Sequence, residues 1–140
     1  LRDCLHYRNF NLFEFLMHSI RTVTELLQIN TPIVISSELE FDENLRGQER
    51  VIAICEAVGA NHYINPPGGV KLYEPLSFHQ KNIDLSFLQP QINPYPQGEG
   101  PAFTEHLSIL DVLMNVGSNG AIDKLGEFKL INSYAKSERS

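Results

Sequence analysis

Basic clusters, long apolar runs and cysteines are what this chain has least of, and each shortage removes a class of function. Eleven Lys and Arg stand against 17 Asp and Glu, a formal net charge of -6 with no Lys/Arg cluster. Phosphate backbones are bound chiefly by neutralising positive charge, so nucleic acid is disfavoured, and an anionic membrane surface with it. No apolar run nears the roughly 20 residues that span a bilayer, and Leu1-Arg2-Asp3-Cys4 lacks the basic and apolar regions of a signal peptide. The chain therefore reads as cytoplasmic, without membrane insertion; opening on Leu1 rather than methionine, it is compatible with a piece of a longer protein.

Two cysteines, Cys4 and Cys55, are too few for a disulfide framework and match a reducing compartment. Cys55 shares a helical face with Val51, Ile54 and Val58 and reads as a buried small hydrophobe. Cys4 and His6 have no second Cys/His pair at finger-like spacing, so neither a metal site nor a cofactor is expected. A Walker-type loop and a Gly-x-Ser-x-Gly elbow are also absent, which removes support for nucleoside triphosphate use and for a serine-hydrolase site.

What is present reads as one domain over residues 1–140, with a polar tail from Ser133. Asn11 can cap a helix carrying Phe13, Leu16, Met17, Ile20, Val23 and Leu27 on one buried face, with His18 in water on the other. Ile33-Val34-Ile35 suggests a buried strand; Asn44 is a plausible cap for a second helix to about Val58, stopped by Gly59. His62-Tyr63-Ile64 reads as the next strand, giving strand, helix, strand within about thirty residues, the size of a parallel crossover unit. A short helix between Leu72 and Gln80, a strand from Ile83 to Leu88, a Pro/Gly-rich loop from Gln89 to Pro101 and a last helix from about His106 to Asn115 follow. The predicted fold class is α/β: three layers, with a mostly parallel sheet of three or more strands flanked by helices.

Three places can carry chemistry. Asn65-Pro66-Pro67-Gly68-Gly69 leaves a strand end, where open α/β sheets gather ligands, and Gly68 and Gly69 let backbone amides approach closely; a plain rigid turn is the commoner meaning of such a tetrapeptide. Ser36 and Ser37 open a second loop that runs to a helix N-terminus and can hold an anion, provided Arg46, Arg50, Lys71 or a metal offsets Glu38, Glu40, Asp42 and Glu43. In the last helix the apolar residues cover most of the circumference and leave Ser108, Asp111 and Asn115 as a narrow polar stripe. A carboxylate on so apolar a helix is either satisfied by backbone donors or presented to a cleft, which makes Asp111 the first acid/base candidate and His62 the second.

Gly47-Gln48-Glu49-Arg50-Val51-Ile52, Gly59 to Gly69 and Leu72-Tyr73, preceded by Ser36-Ser37-Glu38-Leu39 and followed by Tyr95-Pro96-Gln97 and Leu107 to Leu113, resemble the WbqC-like family from about Asn11 to Ile131. Members are associated with bacterial surface polysaccharide such as O-antigen, and some carry the label of a glycine or other group transferase. They usually open with a Gln-Pro-x-Tyr-Phe-Pro segment and further strands; the resemblance implies that Leu1 falls inside a longer, more complete α/β fold, and that the strand edge left open in this chain would invite self-association.

Two functions compete. An enzyme would move a small acyl or aminoacyl group onto a nucleotide-linked sugar: Asp111 or His62 would carry the proton, and Asn65, Tyr73, Gln97 and Ser108 would orient sugar hydroxyls. Gln48 belongs to the same substrate-binding set, and Arg50, with Ser36 and Ser37, would meet a phosphate or carboxylate. A non-catalytic assembly module would instead use the Pro-rich loop as its partner surface.

Overall fold

The chain's local signals become elements where a partner exists for them to bury against. A computed structural model describes residues 2, 6–98, 100 and 102–133. Cys4 and the tail beyond Ser133 lie outside the described residues, so the Cys4 and His6 pairing is not addressed there. The chain divides into two compact units, each assembled from two separated stretches: Ile33–Gln91 with Phe128–Ser140, and Leu1–Pro32 with Ile92–Glu127.

The first unit holds the sheet. Helix α2 (Gly47–Ala57) leads to β1 (His62–Asn65), a 3-10 turn at Pro67–Gly69, α3 (Pro75–His79) and β2 (Asp84–Pro90), and β3 (Phe128–Asn132) completes it. The strand order is β1-β2-β3. β1 runs parallel to β2, with Tyr63 beside Leu85, and β3 runs antiparallel to β2, with Ile131 beside Phe87. Alternation along β2 sends Leu85 and Phe87 to one face, where they meet Ile52 and Cys55 of α2, Phe78 of α3 and Ile83 in a single buried cluster. Phe78 and Leu85 are wholly buried. α2 and α3 thus cover the same face.

Two expectations change here. The sheet is mixed rather than mostly parallel, and within this unit helices lie on one face, not two. β3 joins β2 antiparallel, and Ile33-Val34-Ile35 forms no strand: Ile33 and Val34 are exposed. β-branched residues favour a pleated conformation, but a strand also needs an edge to pair with, which three residues cannot supply for themselves. The parallel pair forms one step later, across the turn and α3. Asn44 likewise does not cap α2; its amide bonds to Asp42, and Arg46 occupies the cap position without a side-chain cap. Val58 is exposed beyond the helix end, while Gly59 takes the positive φ of +67° that stops it.

The second unit is helical. α1 (Leu12–Leu26) starts as expected: Asn11 Oδ1 accepts from the Phe13 amide at 2.9 Å and from that of Glu14. α4 (Ile109–Asp123) starts later than His106, capped by Ser108, and continues past Asn115 through a kink at Gly117, whose φ of 71° is available cheaply only to glycine. Leu27, Leu113 and Ala121 form the core, with Val23, Ile109, Val112 and Ile122 packed on it. The apolar face of α1 is far less covered than its periodicity predicts: none of Leu12 to Leu26 is buried, and Phe13, Leu16 and Ile20 are exposed. Phe15, Ile20 and Val23 instead edge an open groove of about 420 Å³ with Ile109 and Leu110. The polar side differs too. His18 is not in water: its ring stacks on Tyr7 at 4.0 Å, and its Nε2 is buried with no hydrogen-bond partner among the described residues.

Candidate functional site

The Asn65 to Tyr73 loop is built by a missing side chain. Gly69 is buried in the 3-10 turn, and a Cβ placed on it would stand 2.2 Å from Asn65 Nδ2, 3.1 Å from Asn65 Cγ and 3.0 Å from Tyr73 Cε2. Glycine at 69 lets Asn65, at the end of β1, and Tyr73 close over the turn, and a larger residue there would require the Asn65 side chain to move. Gly68 has open space around it. Of the two amides expected to face a ligand, that of Gly69 is already used, donating to the Pro66 carbonyl at 3.0 Å. Tyr73 is held in turn by Tyr63, with hydroxyls 3.4 Å apart, and by an edge-to-face contact with Phe78. Gln48 serves the same loop, since its side-chain oxygen accepts the Glu74 amide and ties α2 to the residue after Tyr73. His62 is exposed on the opposite face of β1 from Tyr63, its Nε2 2.9 Å from Ser86 Oγ.

In the same unit, Ser36 and Ser37 lie in a 3-10 turn and line a pocket of about 290 Å³ with Leu39, Phe41, Glu43, Arg46 and Arg50. Ser36, Ser37 and Arg50 are thus brought together as expected. Of the four carboxylates in the loop only Glu43 reaches the pocket, and neither arginine forms an ion pair with it among the described residues. The Arg46 guanidinium donates through Nη1 to the carbonyls of Glu43 and Leu45. That of Arg50 sits 5.1 Å from the Phe41 ring centroid.

Gln97, Ser108 and Asp111 belong to the other unit. Asp111 follows neither expected alternative alone. Its Oδ2 accepts from the Tyr95 hydroxyl at 2.7 Å and Gln97 Nε2 at 3.1 Å, and its Oδ1 from Asn115 Nδ2 at 3.1 Å. Side chains, not backbone amides, satisfy it, and they pin the Pro-rich loop to α4. Gln97 also bonds Thr104 in both directions, and the Gly98 amide donates to Asn115 Oδ1. Ser108 is not part of a helical stripe: as the cap of α4 its hydroxyl oxygen accepts the Leu110 amide at 3.2 Å. The helix is also less buried than its composition implied, with Leu113 and Ala121 inside but Met114 exposed.

The profile of the WbqC-like protein family matches residues 1–122 of the 140. The chain belongs to that family. The match begins ahead of Asn11 and ends before β3. Searches of curated proteins and of solved structures return no match.

Electrostatics in this WbqC-like protein concentrate on its tyrosines and Cys55. The Tyr63 phenol is pushed well above its ordinary range, chiefly by burial and then by the Tyr73 hydroxyl; that of Tyr95 is raised chiefly by its hydrogen bond to Asp111. Burial raises the Cys55 thiol, with the charge of Glu56 adding to it, consistent with a small core residue and not an activated nucleophile. Arg46, a candidate cation of the Ser36 loop from sequence, lines its pocket, whereas sequence reasoning missed Tyr95 and Asn115 as Asp111 partners. The spacing of Asp111 and Asn115, four apart on a helix, was the available signal for one of them. Among the described residues no cluster of His, Cys, Asp or Glu is arranged to hold a metal, and no helix is long and apolar enough to cross a membrane.

Proposed function

We propose that this WbqC-like protein transfers a small acyl or aminoacyl group to a nucleotide-activated sugar during construction of bacterial surface polysaccharide such as O-antigen. The observation that carries the reading is the Asn65, Gly69 and Tyr73 cradle: a loop at the C-terminal end of a parallel strand in which Asn65 and Tyr73 pack closely over Gly69. Ligands of open α/β sheets collect at such strand ends. Asn65 and Tyr73 orient sugar hydroxyls, and the Ser36, Ser37 and Arg50 pocket takes the anionic part of the substrate. The acceptor group attacks the donor carbonyl and gives its proton to a general base, for which His62 is the candidate in this unit and Asp111 the one in the other. The bond from that carbonyl to the donor's carrier breaks, and the carrier leaves with the proton. Amide shifts followed by NMR during titration with nucleotide sugars test this. Perturbation at Asn65 to Tyr73 is expected, and its absence with every sugar tried would count against an enzyme.

A second reading is a non-catalytic assembly module whose partner surface is the Pro-rich loop. It is favoured by the commitment of Asp111 to Tyr95, Gln97 and Asn115, which shapes that loop. Under it, Asp111→Asn leaves function in cells intact, whereas Tyr95→Ala or Pro96→Ala abolishes it.

A further inference from the structure

We infer that the pocket formed by Ser36, Ser37, Arg46 and Arg50 is a phosphoryl site, which takes the diphosphate of a nucleotide-linked substrate and not a carboxylate. The inference deepens the nucleotide-sugar reading and rests on it for the identity of the whole substrate, but the pocket has its own physical case. Arg50 is only half-exposed, and among the described residues its side chain makes no hydrogen bond and no ion pair; its one contact of note is the face of Phe41. A partly desolvated guanidinium normally has an anion or acceptors beside it, because burying a charge without them is costly. Here none is supplied from within the unit, in a chain that carries 17 acidic side chains.

The neighbouring arginine is prepared differently. Arg46 spends Nη1 on two backbone carbonyls, which fixes its fork, and that leaves its Nη2 and Nε donors to serve a ligand. With the donors of Arg50 and the hydroxyls of Ser36 and Ser37, the pocket offers more hydrogen-bond donors than the roughly four acceptor sites of a carboxylate can use. It also offers two positive charges against one carboxylate, Glu43. The diphosphate of a nucleotide-linked sugar carries about -2, one charge per phosphorus, and presents roughly four non-bridging oxygens, so both its charge and its acceptor count fit better than those of a carboxylate. At about 290 Å³ the pocket lies at the small end of ligand cavities, which suits a phosphoryl or diphosphate group and leaves the sugar to be held elsewhere.

The test is an NMR titration of the full chain with inorganic pyrophosphate, with sodium acetate at matched ionic strength as control, and then with a nucleoside diphosphate. Expected is saturable movement of the Arg50 side-chain Nε–H signal and of amides 36–50 with pyrophosphate and not with acetate. Arg50→Gln should weaken binding roughly tenfold to hundredfold, the loss expected for hydrogen bonds to a charged group. Arg50→Lys, which keeps the charge but not the fork, should recover only part. Equal response to acetate, or no saturable response to pyrophosphate, overturns the inference. Tighter binding of the nucleoside diphosphate than of pyrophosphate identifies a nucleotide as the source, and equal affinity overturns the nucleotide assignment. Shifts at 36–50 with pyrophosphate but none at 65–73 with any nucleotide sugar would uphold the pocket and sink the cradle; the reverse pattern would sink the pocket alone.

Discussion

Replacing Gly69 by alanine, with Gly68→Ala as its neighbour control, interrogates the cradle directly. Neither glycine has a positive φ, so alanine is acceptable to the backbone at both positions and by itself would stabilise by about 0.4–1 kcal/mol through the unfolded chain. At 68 nothing lies within 4 Å of the new methyl, and that gain should appear. At 69 the methyl would stand 2.2 Å from Asn65 Nδ2 and 3.0 Å from Tyr73 Cε2. Tyr73 is braced by Tyr63 and Phe78, so the strain falls on Asn65. Overpacking of this kind costs about 1–3 kcal/mol. The gain is common to both variants, so Gly69→Ala should be about 1–3 kcal/mol less stable than Gly68→Ala, or roughly 3–12 °C lower in Tm for a chain of this size. Urea unfolding followed by tyrosine fluorescence suits the measurement, since no tryptophan is present and Tyr63 and Tyr73 flank the site. The cost should shrink in an Asn65→Ala background, because the two positions share the clash. A Gly69→Ala protein as stable as Gly68→Ala, or a cost unchanged by Asn65→Ala, would refute the proposed packing.

Other outcomes follow from the same geometry. Ultraviolet titration should show Tyr63 and Tyr95 ionising above the usual phenol range near pH 10, and Tyr95→Phe should remove one of the late transitions. Because both phenols are raised on folding, the stability they contribute is complete below the unfolded-state pKa and is lost as pH climbs through the folded one; denaturation midpoints should therefore fall above about pH 10. Phe78→Ala should cost about 3–5 kcal/mol, read from chemical denaturation, since its ring is wholly buried between α2 and the sheet. Cys55 should resist thiol reagents in the native protein and react on addition of urea, as peptide mass mapping would reveal; labelling at native conditions would contradict its burial.

Where the sequence could be read, the cause was local. Asn11 as a cap and Gly59 as a stop depend on backbone groups one to three residues away, and the Ile83 to Leu88 strand declares itself by its own apolar content. Ser36, Ser37 and Arg50 share a pocket because they sit on one short loop and the first turns of the helix that follows it. Misreadings came where a neighbour distant in sequence decides. Ile33-Val34-Ile35 has strand propensity but no edge to join, and the face of α1 has helical periodicity but few residues set against it. Ser108 belongs to the polar spacing of α4, yet it falls one residue before the first helical turn, where its hydroxyl does more for the chain as a cap.

By itself the sequence determined the class and the parts. Its charge balance, its spacing of apolar residues and the motifs it shares with the WbqC-like family are properties of the covalent chain and need no fold to be read. Only the tertiary structure decided that the sheet is mixed, that Gly69 rather than Gly68 is the crowded glycine of the loop, and that Asp111 is held by Tyr95, Gln97 and Asn115. Strand direction, steric room and hydrogen-bond partnership all depend on which residues meet across long separations, and no local pattern encodes that.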